Sequence, residues 1–169
     1  MSERQDGDKI IVTGFSGGSH FPRKQEMLQY FWQANGLSKE GPFHIQGSVY
    51  GRKLEFVGPG EVEGSVMSRG DVSLENLGDG VQRFLSGITS SASILCSSNT
   101  RALQDTLMGN LDNASYIIRG NVFAAERIYL EDTIVMGQVR AKYIEIRNCI
   151  IFGSLEASEK LDIHASSIL

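Results

Sequence analysis

Gly137-Gln-Val139-Arg-Ala141, followed by Ile144-Glu-Ile146, is the stretch of sequence that decides the fold. Its first five residues recur as a phrase: a glycine, any residue, Val or Leu, any residue, and a small residue. The phrase is separated by 17 residues in the first pair of copies and by 17 and then 16 in the last three; the copies begin at Gly47, Gly64, Gly120, Gly137 and Gly153. Such a period is too short for a two-helix repeat and fits one coil of β-structure. The pattern therefore predicts a repeat protein whose coils stack.

Each coil in the second half of the chain continues with two more apolar stretches. The first is an alternating pair: Ile128-Tyr-Leu130, Ile144-Glu-Ile146 or Leu161-Asp-Ile163. The second lies around Ile134/Met136, Ile150/Phe152 and Ile168. Because neighbouring residues of a strand point to opposite faces, the alternation predicts three short strands per coil. In the coil after Gly120 it predicts a core side formed by Val122, Ile128, Leu130, Ile134 and Met136.

These observations predict an all-β, single-stranded parallel β-helix of about six or seven coils over residues 43–169, preceded by an N-terminal segment, 1–42. A coil cannot bury its apolar side alone, so each coil is stabilised mainly by its neighbours. The left-handed alternative repeats an apolar residue every six positions, and that pattern is not sustained here. A right-handed coil, the usual sense of parallel crossovers, is therefore favoured.

The N-terminal segment predicts a strand at Ile10–Thr13, a glycine-rich turn and an amphipathic helix over Arg23–Ala34. The turn lacks Gly-Lys-Ser/Thr and Gly-x-Gly-x-x-Gly, so a plain turn is favoured over a phosphate cradle and no cofactor is predicted. Met27, Phe31 and Trp32 form an aromatic patch on the helix. Three roles are open for it: a cap on the end of the β-helix, a docking surface for a partner, or shallow insertion into a membrane surface.

Residues 75–118 lose the register of the repeat. Three explanations are open: two imperfect coils with an inserted helix at Thr100–Met108, an excursion from the stack, or a binding loop. The domain prediction is thus a β-helix over 43–169 with an irregular or inserted stretch at 75–118.

Composition excludes several classes of function. The chain of 169 residues has a net charge of −4 and scattered basic residues, so nucleic-acid binding is not expected. Its polar start is unlike a signal peptide, and we expect a cytoplasmic protein. Cys96 and Cys149 are expected to be buried free thiols. His20, His44 and His164 stand far apart, so no zinc site built on histidines and no catalytic group is predicted.

The phrase Gly-x-Val-x-Ala, followed by Ile-x-Leu and a third strand, resembles the bactofilin family of polymer-forming bacterial cytoskeletal proteins. The resemblance is best over 118–169 and good over 45–74. It implies a right-handed β-helix of triangular cross-section that polymerises end to end without nucleotide, often at the inner membrane face. The chain departs from the family in its aromatic N-terminal helix and its irregular middle.

A non-enzymatic scaffold or cytoskeletal protein that binds itself, and through it other scaffold proteins, is therefore the expected function. Its self-association residues are predicted at the C-terminal end: Leu161, Ile163, Ile168 and Leu169. Two alternatives remain. A binding module would present residues 75–118 to a protein or glycan, and an enzymatic β-helix would need clustered His or carboxylate groups on one face.

Overall fold

The structure is a computed structural model. It describes residues 42–76, 80–98 and 114–169 with their side chains, and residues 2–6, 9–13, 32–33 and 37–40 by their backbone only. Every regular element in these residues is a β-strand. No helix in the described part of the chain has the length and apolar character that a membrane crossing requires.

The strands fall into coils of three. Four strands precede the coils: β1 (Ser2–Asp6), β2 (Lys9–Thr13), β3 (Trp32–Gln33) and β4 (Leu37–Glu40). The first two coils contain β5 (Phe43–Ile45), β6 (Val49–Gly51) and β7 (Leu54–Val57), then β8 (Gly60–Val62), β9 (Val66–Ser68) and β10 (Val72–Asn76). The next two contain β11 (Gln82–Phe84), β12 (Ile88–Ser90) and β13 (Ile94–Ser98), then β14 (Tyr116–Ile118), β15 (Val122–Ala124) and β16 (Arg127–Glu131). The last strands are β17 (Thr133–Val135), β18 (Val139–Arg147), β19 (Ile150–Ile151), β20 (Leu155–His164) and β21 (Ser167–Ile168).

Strands of successive coils pair in parallel and form columns. The first column, a seven-stranded sheet, runs from β5 through β8, β11, β14, β17 and β19 to β21. The second and third columns belong to one 14-stranded sheet, because β18 is long enough to pair with β15 along its first part and with β16 along its second. At the N-terminal side β4 pairs with β7, β2 pairs with β4, and β1 joins β2 antiparallel.

The core consists of side chains stacked like over like between coils. Val122, Val139 and Leu155 share one column, and Ile128, Ile144 and Leu161 share another, as the repeat predicts. Val122, Val139 and Ile128 are fully buried. The parallel-β and repeat character of the chain is thus confirmed, and Cys96 and Cys149 are buried free thiols as expected.

Part of the predicted irregular stretch is regular. Residues 82–98 form three strands, β11 to β13, in register with the coils on both sides. This coil escapes the sequence pattern because Ser86 stands where the other coils have the leading glycine, and Gly87 comes one residue later. The predicted helix at Thr100–Met108 lies outside the described residues.

The facing of the third apolar stretch was wrong. In β17, Thr133 and Val135 point into the core, whereas Met136 is exposed. Ile134 points away from the core and is buried in a separate cluster with Ala114 and Ile150. The reason is the corner at Asp132, whose left-handed backbone (φ 48°) resets the alternation, so that the strand begins with an inward threonine.

The end of the predicted helix is also corrected. Trp32 and Gln33, its last residues but one, form β3, which pairs in parallel with Tyr50 and Gly51. A strand here satisfies backbone groups along the edge of β6 that a helix would leave without partners. Met27, Phe31 and the rest of the helix lie outside the described residues.

Candidate functional site: the open end at the last coil

The apolar columns of the core become exposed at the last coil. Leu161, Ile163 and Ile168 are 41%, 42% and 44% exposed. Their register partners one coil earlier, Ile144, Ile146 and Ile151, are almost completely buried. The difference comes from position alone, since the inward direction is the same. Three of the four predicted self-association residues therefore lie together as an uncovered layer of core, which we call the open end.

The fourth residue, Leu169, lies beside this layer. Its amide donates to the Ile151 carbonyl at 2.9 Å, just as the Phe152 amide donates to Val135 and the Met136 amide to Ile118. Leu169 therefore continues the row of Met136 and Phe152, and all three side chains are exposed. The structure brings the four predicted residues to one end of the molecule, but it gives Leu169 a different row from the other three.

The open end also offers backbone groups. β20 pairs with β18 and β21 pairs with β19. In the part of the chain that the structure describes, no strand pairs with their other edges. A strand edge of ten residues presents N–H and C=O groups that can pair with another chain.

Charged side chains flank this edge on the solvent side. Lys160 contacts Asp162 at 2.6 Å, and this hydrogen bond raises the pKa of Lys160. The Tyr143 hydroxyl donates to Glu159, which raises the tyrosine pKa. These groups are exposed and paired, so they decorate the edge without covering the apolar layer.

The opposite end of the stack is arranged differently. β6 is followed by β3, and β7 is followed by β4, β2 and the antiparallel β1. An antiparallel strand ends the parallel stacking in its column. Only β5 has, among the described residues, no further strand beyond it. The N-terminal segment thus extends two of the three columns, while the open end is uncovered in all three.

The glycines that define the coils are explained by close approach of backbones. A Cβ on Gly64 would lie 2.3 Å from the Gly47 carbonyl carbon, and one on Gly153 would lie 2.5 Å from the Gly137 oxygen. Gly120 and Gly137 are equally constrained. Each glycine sits against the glycine of the neighbouring coil, so the coil-defining residues have a packing role.

A shallow depression of about 200 Å³ lies on the outer face of the second column. Arg140, Lys142 and Glu156 line it. Arg140 contacts Glu156 at 3.5 Å and Lys142 contacts Glu126 at 2.9 Å, so its charges are paired across adjacent coils. This arrangement is a solvated, mutually neutralising face.

Searches against protein-family models, curated proteins and solved structures gave no significant match.

Proposed function

We propose that this protein is a non-enzymatic scaffold that assembles with itself through the open end, as the resemblance to bactofilins implies. The proposal includes a right-handed coil of triangular cross-section, an N-terminal cap that contains the aromatic patch, and a location in the cytoplasm or at the inner membrane face. The observation that carries it is the exposure of Leu161, Ile163 and Ile168, whose equivalents in every earlier coil are buried.

The expected contact is a pair of open ends. A two-fold axis would place two β20 edges side by side in antiparallel pairing and cover both apolar layers. Such an isologous contact closes at a dimer. Growth beyond a dimer needs a second contact at the N-terminal side, where β1 to β4 extend the columns.

The apolar layer alone supports only weak association. Covering the exposed two fifths of three aliphatic side chains on each partner contributes roughly 6 kcal/mol in total. Association costs about 4–15 kcal/mol in lost translational and rotational freedom. Strand pairing along β20 must supply the remainder, so we expect a dissociation constant in the micromolar range or weaker.

Sedimentation velocity over a series of concentrations, together with negative-stain microscopy, tests this function. The variants are Ile168→Lys/Leu169→Lys and Leu161→Lys/Ile163→Lys, each checked for the native circular dichroism spectrum. Met67→Lys is the matched control, since Met67 is 46% exposed but lies on β9 in the middle of the stack. Wild type and Met67→Lys should associate, and both end variants should remain monomeric.

Two results would contradict the proposal. If an end variant sediments like wild type, the contact lies elsewhere on the molecule. If wild type is a monomer at hundreds of micromolar, the scaffold function fails, and the alternative of a binding module that presents residues 75–118 to a protein or glycan takes its place.

A further inference from the structure

A histidine and two glutamates from adjacent coils meet on the outer face of the first column. His44 is the middle residue of β5, and Glu61 is its register partner in β8. Glu63 follows two residues later, so its side chain lies on the same face as that of Glu61. Within the described residues this is the one group of three metal-ligating side chains whose ligand atoms lie within 4.8 Å of one another.

The core fixes the backbone that carries these side chains. Phe43 and Ile45 flank His44, and Val62 separates the two glutamates; all three are buried. The Glu63 amide also donates to the Ile45 carbonyl at 2.9 Å. The three Cβ positions are therefore set by the stacking of two coils, while the partly exposed side-chain ends can adjust.

The distances suit a shared cation. His44 Nε2 lies 2.8 Å from a Glu63 carboxylate oxygen, and His44 Nδ1 lies 3.9 Å from Glu61. Two ligand atoms at bond lengths of about 2.0–2.2 Å and near right angles around one ion are about 3 Å apart. A small rotation of the Glu61 side chain brings a third oxygen to the same ion.

The donor set selects a class of metal. One imidazole nitrogen and two carboxylates suit divalent first-row transition ions, whereas Ca²⁺ and Mg²⁺ prefer oxygen ligands alone. With neutral imidazole the group carries two negative charges. Arg83 lies opposite Glu61 on the next coil and is exposed, so it lowers the local negative potential without being a ligand.

We propose that His44, Glu61 and Glu63 bind one divalent transition-metal ion, such as Zn²⁺, which joins the first coil to the second. Water completes the coordination. The site is separate from the open end, because β5 and β8 stand at the other end of the first column from β21. The proposal is therefore independent of self-assembly.

The test is isothermal titration of the full chain, free of any polyhistidine tag, with ZnCl₂. Absorption of bound Co²⁺ and the melting temperature with and without Zn²⁺ give second readouts. Wild type should bind one Zn²⁺ saturably and melt at a higher temperature with the metal. His44→Ala should abolish binding, and Glu63→Gln should weaken it by at least about tenfold, more than the loss of an outer-shell partner would give at its lower limit.

Two further variants sharpen the test. His164→Ala, at an exposed histidine of the last coil, should bind Zn²⁺ like wild type. Arg83→Gln should bind more tightly, because it removes a neighbouring positive charge. The proposal is overturned if wild type shows no saturable Zn²⁺ binding at millimolar metal, or if His44→Ala binds as wild type does with an unchanged native spectrum.

Discussion

Three residues at equivalent corners share an uncommon backbone conformation. Asp132, Asn148 and Ala165 have φ values of 48°, 49° and 46°, in the left-handed region. Asn148 Nδ2 donates to Asp132 Oδ1 at 2.7 Å, so two of the corners are linked between coils. Asp and Asn tolerate this region better than other residues, whereas Ala gains nothing from its side chain there. The corner of the last coil is therefore the strained one.

Replacing Ala165 by glycine should stabilise the protein. Glycine removes the clash between Cβ and the backbone that a left-handed alanine suffers, and Ala165 is exposed, so no packing is lost. We expect the free energy of unfolding to rise by about 0.5–1 kcal/mol, measured by urea titration. Ala125→Gly, at an exposed alanine without positive φ, should be neutral or destabilising; equal gains in both variants would contradict the explanation.

The two core thiols predict a loss of stability at alkaline pH. Burial raises the pKa of Cys149 to about 12 and raises that of Cys96, from an ordinary value of 9.0. Because the folded state holds both thiols protonated, their contribution is complete below pH 9 and is lost as the pH rises toward 12. Each thiol lowers the free energy of unfolding by up to about 1.4 kcal/mol per pH unit in this window.

Urea unfolding with reductant present, at neutral pH and at several values above 9, measures this slope. The variant Cys96→Val/Cys149→Ala should show a shallower slope than wild type. Some slope should remain, since burial also raises the pKa of Tyr116 above its ordinary value of 10.0. Parallel slopes in variant and wild type would contradict the assignment.

At the scale of elements, β18 illustrates how one strand is stabilised by two neighbours. Val139, Ile144 and Ile146 point between the coils and are buried, while Arg140 and Arg147 point to solvent. The pairing with β20 shifts register between Ala141 and Tyr143, where the strand passes from one column to the next. A single long strand thus serves two columns because this irregularity turns it without breaking it.

Val139→Asp should strongly destabilise the protein. It would place a carboxylate without a partner between Val122 and Leu155, at a cost of several kcal/mol. A chain of this size loses roughly 2–4 °C in melting temperature per kcal/mol. Arg140→Ala is the control, since its exposed contact with Glu156 contributes little. Equal melting temperatures for the two variants would show that the assignment of inward and outward faces is incorrect.

At the scale of the whole molecule, the two ends of the stack are unequal. The open end exposes the last layer of core, while β1 to β4 extend two columns at the other end. Because β1 is antiparallel to β2, it interrupts the parallel order that another copy would have to continue. This asymmetry favours pairing of open ends over continuous head-to-tail growth.

Deletion of residues 1–42 should therefore lengthen the assemblies. It removes β1 to β4 and leaves the edges of β6 and β7 available to a second copy. Negative-stain microscopy and sedimentation of the deleted chain should show species larger than those of wild type. The same deletion combined with Ile168→Lys/Leu169→Lys should return the protein to at most a dimer, and long filaments from that combination would contradict the two-contact scheme.

The sequence by itself determined the coil, its three strands and the stacking of Val122, Val139 and Leu155. These features depend on alternation and on a repeat of 16 or 17 residues, both of which are local and can be read along the chain. The sequence also placed Leu161, Ile163 and Ile168 in the last layer of the core, which the structure shows to be the exposed one.

Only the tertiary structure decided the features that depend on pairing between coils of unequal length. Ile88 pairs with Val66 across 22 residues and with Val122 across 34, so the coil over 82–98 does not follow the spacing of its neighbours. The facing of Thr133 depends on the conformation of one corner residue, Asp132. His44 and Glu61 become neighbours only when two coils stack in register. Side chains distant in sequence acquire a common face through backbone pairing, which a linear pattern does not contain.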